Sequence, residues 1–159
     1  MINTAVYHSP IGDVVIKEID GYIVGIKTMD ESEKYDILMI APEGNKPIQT
    51  CIEQLEEYFL GTRKVFDFCY KNEGTPFREK VWQELAQHVP YGSTLSYGEL
   101  AKRVDNPRAA RAVGSANHHN NLWIVVPCHR VIASDGTLGG YGGGLWRKQW
   151  LLDHEQKYK

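Results

Sequence analysis

The chain has 159 residues, room for one medium domain or two small ones, and its 42% apolar content is enough for a core, which excludes general disorder. No apolar run approaches the length of a membrane span. Net charge is −2 but uneven: residues 1–75 carry 7 Lys and Arg against 13 Asp and Glu, whereas residues 76–159 carry 11 against 7. An acidic half followed by a basic half predicts a weak, salt-sensitive affinity of the second half for nucleic acid, in competition with chance and solvated faces.

In chain order, residues 2–8, 13–20 and 22–28 alternate apolar and polar positions. Turn signals at Ser9-Pro10-Ile11-Gly12 and Asp20-Gly21 make them an antiparallel meander. Residues 30–36 are charged and read as a loop, 37–40 as a short strand and Ala41-Pro42-Glu43-Gly44 as a turn. From Pro47 to Leu60, Ile48, Cys51, Ile52, Leu55, Tyr58 and Phe59 share one helical face, and Gly61 ends the helix. Residues 65–70 read as another strand. This half is a small α+β unit. Lys71-Asn72-Glu73-Gly74 is the best linker, dividing the chain into 1–72 and 73–159.

Thr75-Pro76 supplies an N-cap and a first-turn proline for a helix whose stripe is Phe77, Val81, Trp82, Leu85 and His88. Ser96-x-x-Glu99 is a capping box opening a short helix over 97–104. Asn106-Pro107 opens a second, to about Ser115, and the tight turn between them predicts a helix-turn-helix. Ser134-Asp135-Gly136 reads as a hairpin turn, so 131–138 forms a wing, and 145–154 is a last helix.

The second short helix interleaves Ala109, Ala110, Ala112, Gly114 and Ala116 with Arg108 and Arg111. An Ala-rich face alone suits tight helix packing. Beside arginines and a helix-turn-helix, approach to a narrow minor groove competes with that reading. An arginine there has the size to replace an extruded base in the stack.

Pro127-Cys128-His129-Arg130 places a thiol at a proline break between two apolar segments, followed by a histidine and an arginine. Such surroundings favour the reactive thiolate. One reading is a group-accepting nucleophile, and another, with His129 as base, is a cysteine hydrolase. A third is a DNA-binding regulator with an inert cysteine. Adjacent residues of an extended chain point apart, so Cys128 and His129 need a turn or a bridging water to cooperate. Glu155 is a candidate for holding the His129 tautomer.

Elsewhere the residues read as structural. Cys51 and Cys69 fall in predicted core positions, as do the four tryptophans, and His118-His119 reads as a solvated helix end. The three cysteines are odd in number and widely spaced, which fits a reducing cytoplasm, and no Cys-x-x-Cys pair offers a zinc site. Met1-Ile2-Asn3-Thr4-Ala5 lacks a signal-peptide pattern. The glycines at 139, 140 and 142–144 do not follow the order of a nucleotide-binding loop and instead make a close-fitting lip around Tyr141.

Over residues 76–155 the chain resembles the O6-alkylguanine-DNA alkyltransferases, the methylated-DNA–protein-cysteine methyltransferases. The anchors are Pro90-Tyr91-Gly92, Ser96-Tyr97-Gly98, Asn106-Pro107, Arg111-Ala112-Val113-Gly114, Asn120, Pro127-Cys128-His129-Arg130-Val131, Gly139 with Tyr141, and Leu151-Leu152 with Glu155. The resemblance implies an α+β protein: a small ribonuclease-H-like N-terminal α/β domain, then a mainly α winged helix-turn-helix domain. It implies a monomer that binds double-stranded DNA in the minor groove, flips out O6-alkylguanine and takes the alkyl group irreversibly onto Cys128, without cofactor or metal. It also implies roles. His129 acts as base through a water, Glu155 orients it, Asn120 braces the active-site segment, and Tyr141 donates to the leaving guanine. Arg111 fills the gap left by the base, and Tyr97 crowds the phosphate. Asn106, Ser134, Ala109, Ala110, Gly114, Arg78 and Gly98 face DNA, the side chains at 78 and 98 departing from the family pattern. Tyr141, Gly142, Gly143 and Val131 form the base pocket. Asn121 and Trp123 also depart from the pattern, in the loop before Cys128, and Cys128 itself argues against the non-enzymatic branch that has tryptophan there.

Overall fold

The computed structural model describes residues 1–29 and 40–159, so the loop expected over 30–36 and all but Ile40 of the strand expected over 37–40 lie outside the described residues. The chain forms two compact units, Met1–Lys71 and Asn72–Lys159. Among the described residues no helix is long and apolar enough to cross a membrane.

In the first unit the meander is β1 (Asn3–Ser9), β2 (Gly12–Ile19) and β3 (Tyr22–Thr28), antiparallel in the order β1-β2-β3. Ala5 pairs with Ile16, and Ile16 with Ile26, and all three are buried. Helix α1 (Lys46–Leu60) packs on this sheet through Ile48, Cys51, Leu55 and Tyr58. Asn45 caps it by accepting from Ile48 N at 3.1 Å, and its own amide donates to buried Glu18 at 2.6 Å, so one side chain starts the helix and ties it to β2. Gly61 closes it in the left-handed region, at φ 87°.

Residues 65–70 do not form the expected strand. They meet β3 only at a parallel bridge, with Ile23 N donating to the Cys69 carbonyl and Lys71 N to that of Ile23. Buried Gln54 accepts from the Asp67 backbone N–H and donates to the Asp67 carboxylate, and so takes a group that a strand ladder would need. Cys69, expected in the core, is exposed as a result, while Cys51 is buried.

The second unit begins with α2 (Pro76–His88), capped by Thr75, which buries Val81, Trp82 and Leu85. His88 does not join that stripe: it is exposed and meets Glu84 at 3.1 Å. Strand β4 (Leu95–Ser96) leads into α3 (Tyr97–Arg103), where Ser96 Oγ accepts from Glu99 N at 3.0 Å. Helix α4 (Ala110–His118) starts later than Asn106. Asp105 sits at φ 61°, and Ala109 N bonds back to the Asn106 carbonyl, so Asn106–Ala109 is spent on a turn. Helices α3 and α4 pack on one another and on α2, and Trp82 Nε1 donates to the Ala116 carbonyl at 2.8 Å.

The wing is smaller than expected. Strand β5 (Val131–Ile132) pairs in parallel with β4, and only a turn at 133–137 stands for the hairpin. Asp135 Oδ1 accepts both the N–H and the hydroxyl of Thr137, a local arrangement that competes with a ladder. Helix α5 (Leu145–Lys157) closes the unit and runs past His154. Trp82 is buried, but Trp146 is 54% exposed, with the Arg147 guanidinium over its ring, so it is not a core residue.

Candidate active site

The site is built where α4, the segment 120–130 and the loop after β5 converge. A cavity of about 580 Å³ is lined by Tyr97, Gly114, Asn117, His118, Cys128, Gly140, Tyr141 and Gly142. Cys128 opens a 3-10 turn, Cys128–Arg130, and is only 5% exposed.

The approach to Cys128 is a bent chain. Ile124 has φ 73°, rare for a β-branched residue, and Val125 N bonds the Trp123 carbonyl across it at 2.8 Å. Pro127, at φ −82° and ψ 63°, makes an inverse γ-turn in which Cys128 N bonds the Val126 carbonyl at 2.8 Å. Fully buried Asn120 holds this path. Its Nδ2 reaches the carbonyls of Leu122 and Val126 and, at 3.3 Å, Cys128 Sγ; its Oδ1 accepts from Leu122 N and from Asn72.

The 3-10 turn sends His129 behind the cysteine. His129 is fully buried, and its Nε2 lies 2.6 Å from Glu155 Oε2. Arg130 donates to both Glu155 oxygens and to the Val89 carbonyl, and Gly92 N donates to Oε1. Burial pushes the Glu155 carboxyl up, but His129 and Arg130 outweigh it and hold it well below the usual carboxylate range. Burial lowers His129, against the pull of Glu155. The stable pairing is a neutral imidazole donating from Nε2 to a carboxylate. That leaves Nδ1 as the basic nitrogen, and it is buried with no hydrogen-bond partner among the described residues.

Tyr141 is the second polar group at the cavity. Burial, then the nearby Cys128, raise its phenol well above the usual value, so it stays a proton donor. Its hydroxyl is buried without a hydrogen-bond partner among the described residues. Trp123 packs beside it, with ring centroids 5.3 Å apart, and covers Gly143, where a Cβ would come within 2.7 Å of the indole. Tyr97 presses on Gly139, which has φ 71° and where a Cβ would lie 2.7 Å from the tyrosine oxygen. A side chain there would strain the backbone and displace the Tyr97 ring. Among the described residues no cluster of three His, Cys, Asp or Glu side chains stands ready for a metal ion.

Two family models match. The DNA-binding domain of 6-O-methylguanine DNA methyltransferase covers residues 76–157, and its ribonuclease-like domain covers residues 2–69. The chain belongs to this family. A methylated-DNA–protein-cysteine methyltransferase of Methanosarcina acetivorans is 40% identical over 151 residues, 95% of this chain and 96% of the relative. One from Mycolicibacterium paratuberculosis is 42% identical, over 99% of this chain and 94% of the relative. Among solved structures, the Mycobacterium tuberculosis OGT in complex with DNA aligns with a TM-score of 0.88 at 37% identity, covering 98% of this chain and 94% of that one. The family's two-domain α+β architecture is the one found here.

The residues expected at the site separate by where the structure places them. Cys128, Tyr141, Gly142, Tyr97 and Gly114 line the cavity, and His129, Glu155 and Asn120 stand behind the cysteine. Val131 and Gly143, expected in the pocket, do not line it: Val131 is buried with its carbonyl bonded to Lys148, and Gly143 is buried under Trp123. Arg111, Ala110, Asn106 and Ser134 are exposed, Arg78 and Gly98 half-buried. Ala109 is buried, facing the protein with Val113 and Ala116, so the small-residue face divides between packing and surface.

Three contributors were missed. Lys148 is fully buried and its ammonium donates to the carbonyls of Val131, Leu138 and Gly140. Burial lowers its pKa to about 8, with Cys128 pulling the other way. Its signal was helical spacing, since 148, 151 and 155 share one face of α5. Asn117 lines the cavity three residues after Gly114, again on one helical face. Asn72 braces Asn120 from across the second unit and carries no sequence signal.

Proposed function

We infer that this protein is a direct-reversal DNA repair enzyme, a methylated-DNA–protein-cysteine methyltransferase that takes an alkyl group from O6-alkylguanine in duplex DNA onto Cys128. The observation that carries this reading is Cys128 at the cavity wall, followed in the chain by a fully buried His129 paired with Glu155.

The roles follow from that geometry. The thiol proton passes through a water to His129 Nδ1, and the thiolate attacks the alkyl carbon. The S–C bond forms as the C–O6 bond breaks, and its electron pair leaves with guanine, which takes a proton from Tyr141; the phenolate recovers a proton from solvent. The imidazolium charge that develops is met by Glu155. The product thioether has no hydrolytic route, so each molecule acts once. No cofactor enters this chemistry.

A lesion inside a duplex is out of reach of a buried thiol, so the nucleotide must be extruded into the cavity. Exposed Arg111, in the first turn of α4, takes the vacated place in the stack, and Tyr97 at the cavity rim crowds the flanking phosphate. Asn106, Ser134, Ala110, Gly98 and Arg78 lie along the DNA, with Ala109 supporting that face. The protein works as a monomer, and alkylated guanine is its substrate class.

Intact-mass measurement after incubation with a duplex carrying one O6-methylguanine tests this. One methyl on the Cys128 peptide, stoichiometric and without turnover, is expected. Cys128→Ser should bind the duplex and gain nothing. Wild-type protein that binds yet stays unmodified overturns the reading in favour of a regulator.

A further inference from the structure

Asn117 has no part in the chemistry above, yet it lines the same cavity. Both its polar atoms, Nδ2 and Oδ1, are buried, and neither has a hydrogen-bond partner among the described residues. Asn120, one turn on, makes the contrast: its amide forms five hydrogen bonds. A buried amide left unmatched is destabilising. The Tyr141 hydroxyl, in the same lining, is equally unmatched. The cavity wall therefore includes one side chain with an unused donor and an unused acceptor, in the same lining as the nucleophile.

Resting on the alkyl-transfer reading, we propose that Asn117 is a specificity-determining residue whose amide reads the hydrogen-bonding edge of the extruded base. An amide offers a donor and an acceptor side by side. O6-alkylguanine carries a 2-amino donor flanked by two ring acceptors, N1 and N3, so either neighbouring pair matches an amide in both directions. O4-alkylthymine presents only acceptors, at N3 and O2, and leaves Asn117 Oδ1 unmatched in a closed site. Sites built to hydrogen-bond a group reject the analogue that lacks it far better than apolar pockets reject a change of size. Asn117 thus biases the enzyme toward alkylated guanine.

The test is a cycle between protein and base, read as single-turnover methyl transfer to Cys128 by mass. The substrates are duplexes with O6-methylguanine, O6-methylhypoxanthine, which lacks the 2-amino group, and O4-methylthymine. Wild-type protein should prefer O6-methylguanine over the other two by about tenfold or more, the size of one buried hydrogen bond. Asn117→Leu should lose most of that factor on O6-methylguanine and change within about twofold on the others. Each ratio compares two lesions on one preparation, so a reduced folded fraction cancels. Should Leu fail to fold, Asn117→Ala gives the same ratios. A ratio unchanged by the substitution, or equal loss on all three lesions, overturns the proposal while leaving alkyl transfer intact. Wild-type protein that accepts methyl from none of the lesions overturns the transfer reading itself.

Discussion

His129 Nε2 and Glu155 Oε2 lie 2.6 Å apart with both side chains essentially out of solvent, and the same carboxylate is held by Arg130. One residue thus fixes the imidazole tautomer and neutralises a buried guanidinium. Glu155→Gln should lower the transfer rate about 10²-fold, since it removes the partner of the developing imidazolium. It should also cost about 3 kcal/mol of stability, because Arg130 keeps its charge and loses its counter-ion. Stopped transfer assays on the folded fraction, with urea unfolding alongside, separate the two losses.

The same pair sets the acid limb of stability. The fold lowers His129, chiefly by burial, so unfolding frees a histidine that takes up a proton below about pH 6.5. Glu155 is held below its usual range despite its burial, so unfolding frees a carboxylate that takes up a proton below about pH 4.3. In both cases the unfolded chain binds more protons. Stability should therefore fall as pH drops, starting near pH 6.5 and more steeply near pH 4. Urea midpoints from pH 4 to 8 check this, and a flat profile sinks the assignment of a neutral His129 beside an ionised Glu155.

Asn120 restrains a path that the backbone resists. Its side chain bonds Leu122 N and the Leu122 and Val126 carbonyls, on either side of Ile124 at φ 73°. Asn120→Ala removes those partners and leaves buried backbone groups unmatched, so it should destabilise by about 2–4 kcal/mol. Thermal unfolding gives the number. A loss under about 0.5 kcal/mol, typical of an unremarkable surface site, would mean that the bend holds itself.

Most of the fold was legible because its signals are local. Thr75-Pro76, Ser96-x-x-Glu99 and Gly61 mark helix ends through groups a few residues apart, and the structure keeps each of them. The alternation of β1 to β3 is equally local. The misreadings involve distant partners. Residues 65–70 look like a strand until Gln54, from α1, takes the Asp67 N–H. The wing looked like a hairpin, but β5 found β4 instead. At the site, Cys128 and His129 stood out by residue chemistry, whereas Glu155, one candidate among the carboxylates, was picked out only by the family pattern. Lys148 and Asn117 left only a spacing signal, on one face with 151 and 155 and with Gly114 respectively, and residue type outweighed it because a lysine and an asparagine on helices normally face water.

Lys148 ties three carbonyls around the active-site loop, from Val131, Leu138 and Gly140. Lys148→Met keeps the length but leaves those acceptors unmatched, and hydrogen exchange over 138–144 should quicken by at least about tenfold. Because burial lowers this ammonium to about 8, the unfolded chain binds the extra proton between about pH 8 and 10, and wild-type stability should rise over that range on this group's account. The rise should be smaller in Lys148→Met. An identical alkaline limb in both proteins would place the titration elsewhere.

Arg111 is exposed in the first turn of α4, with Gly114 at the cavity one turn further on. If its guanidinium replaces an extruded base, its value exists only where there is a stack to repair. Unstacking a base costs a few kcal/mol, so Arg111→Ala should slow transfer from duplex O6-methylguanine by about 10²-fold. The same variant should react with free O6-benzylguanine within about twofold of wild type, because a free base needs no extrusion and the cavity is untouched. Parallel single-turnover assays on the two substrates decide it. Equal loss on both would mean that Arg111 acts on the thiol or the cavity itself, through charge, and the base-replacement role would have to be given up.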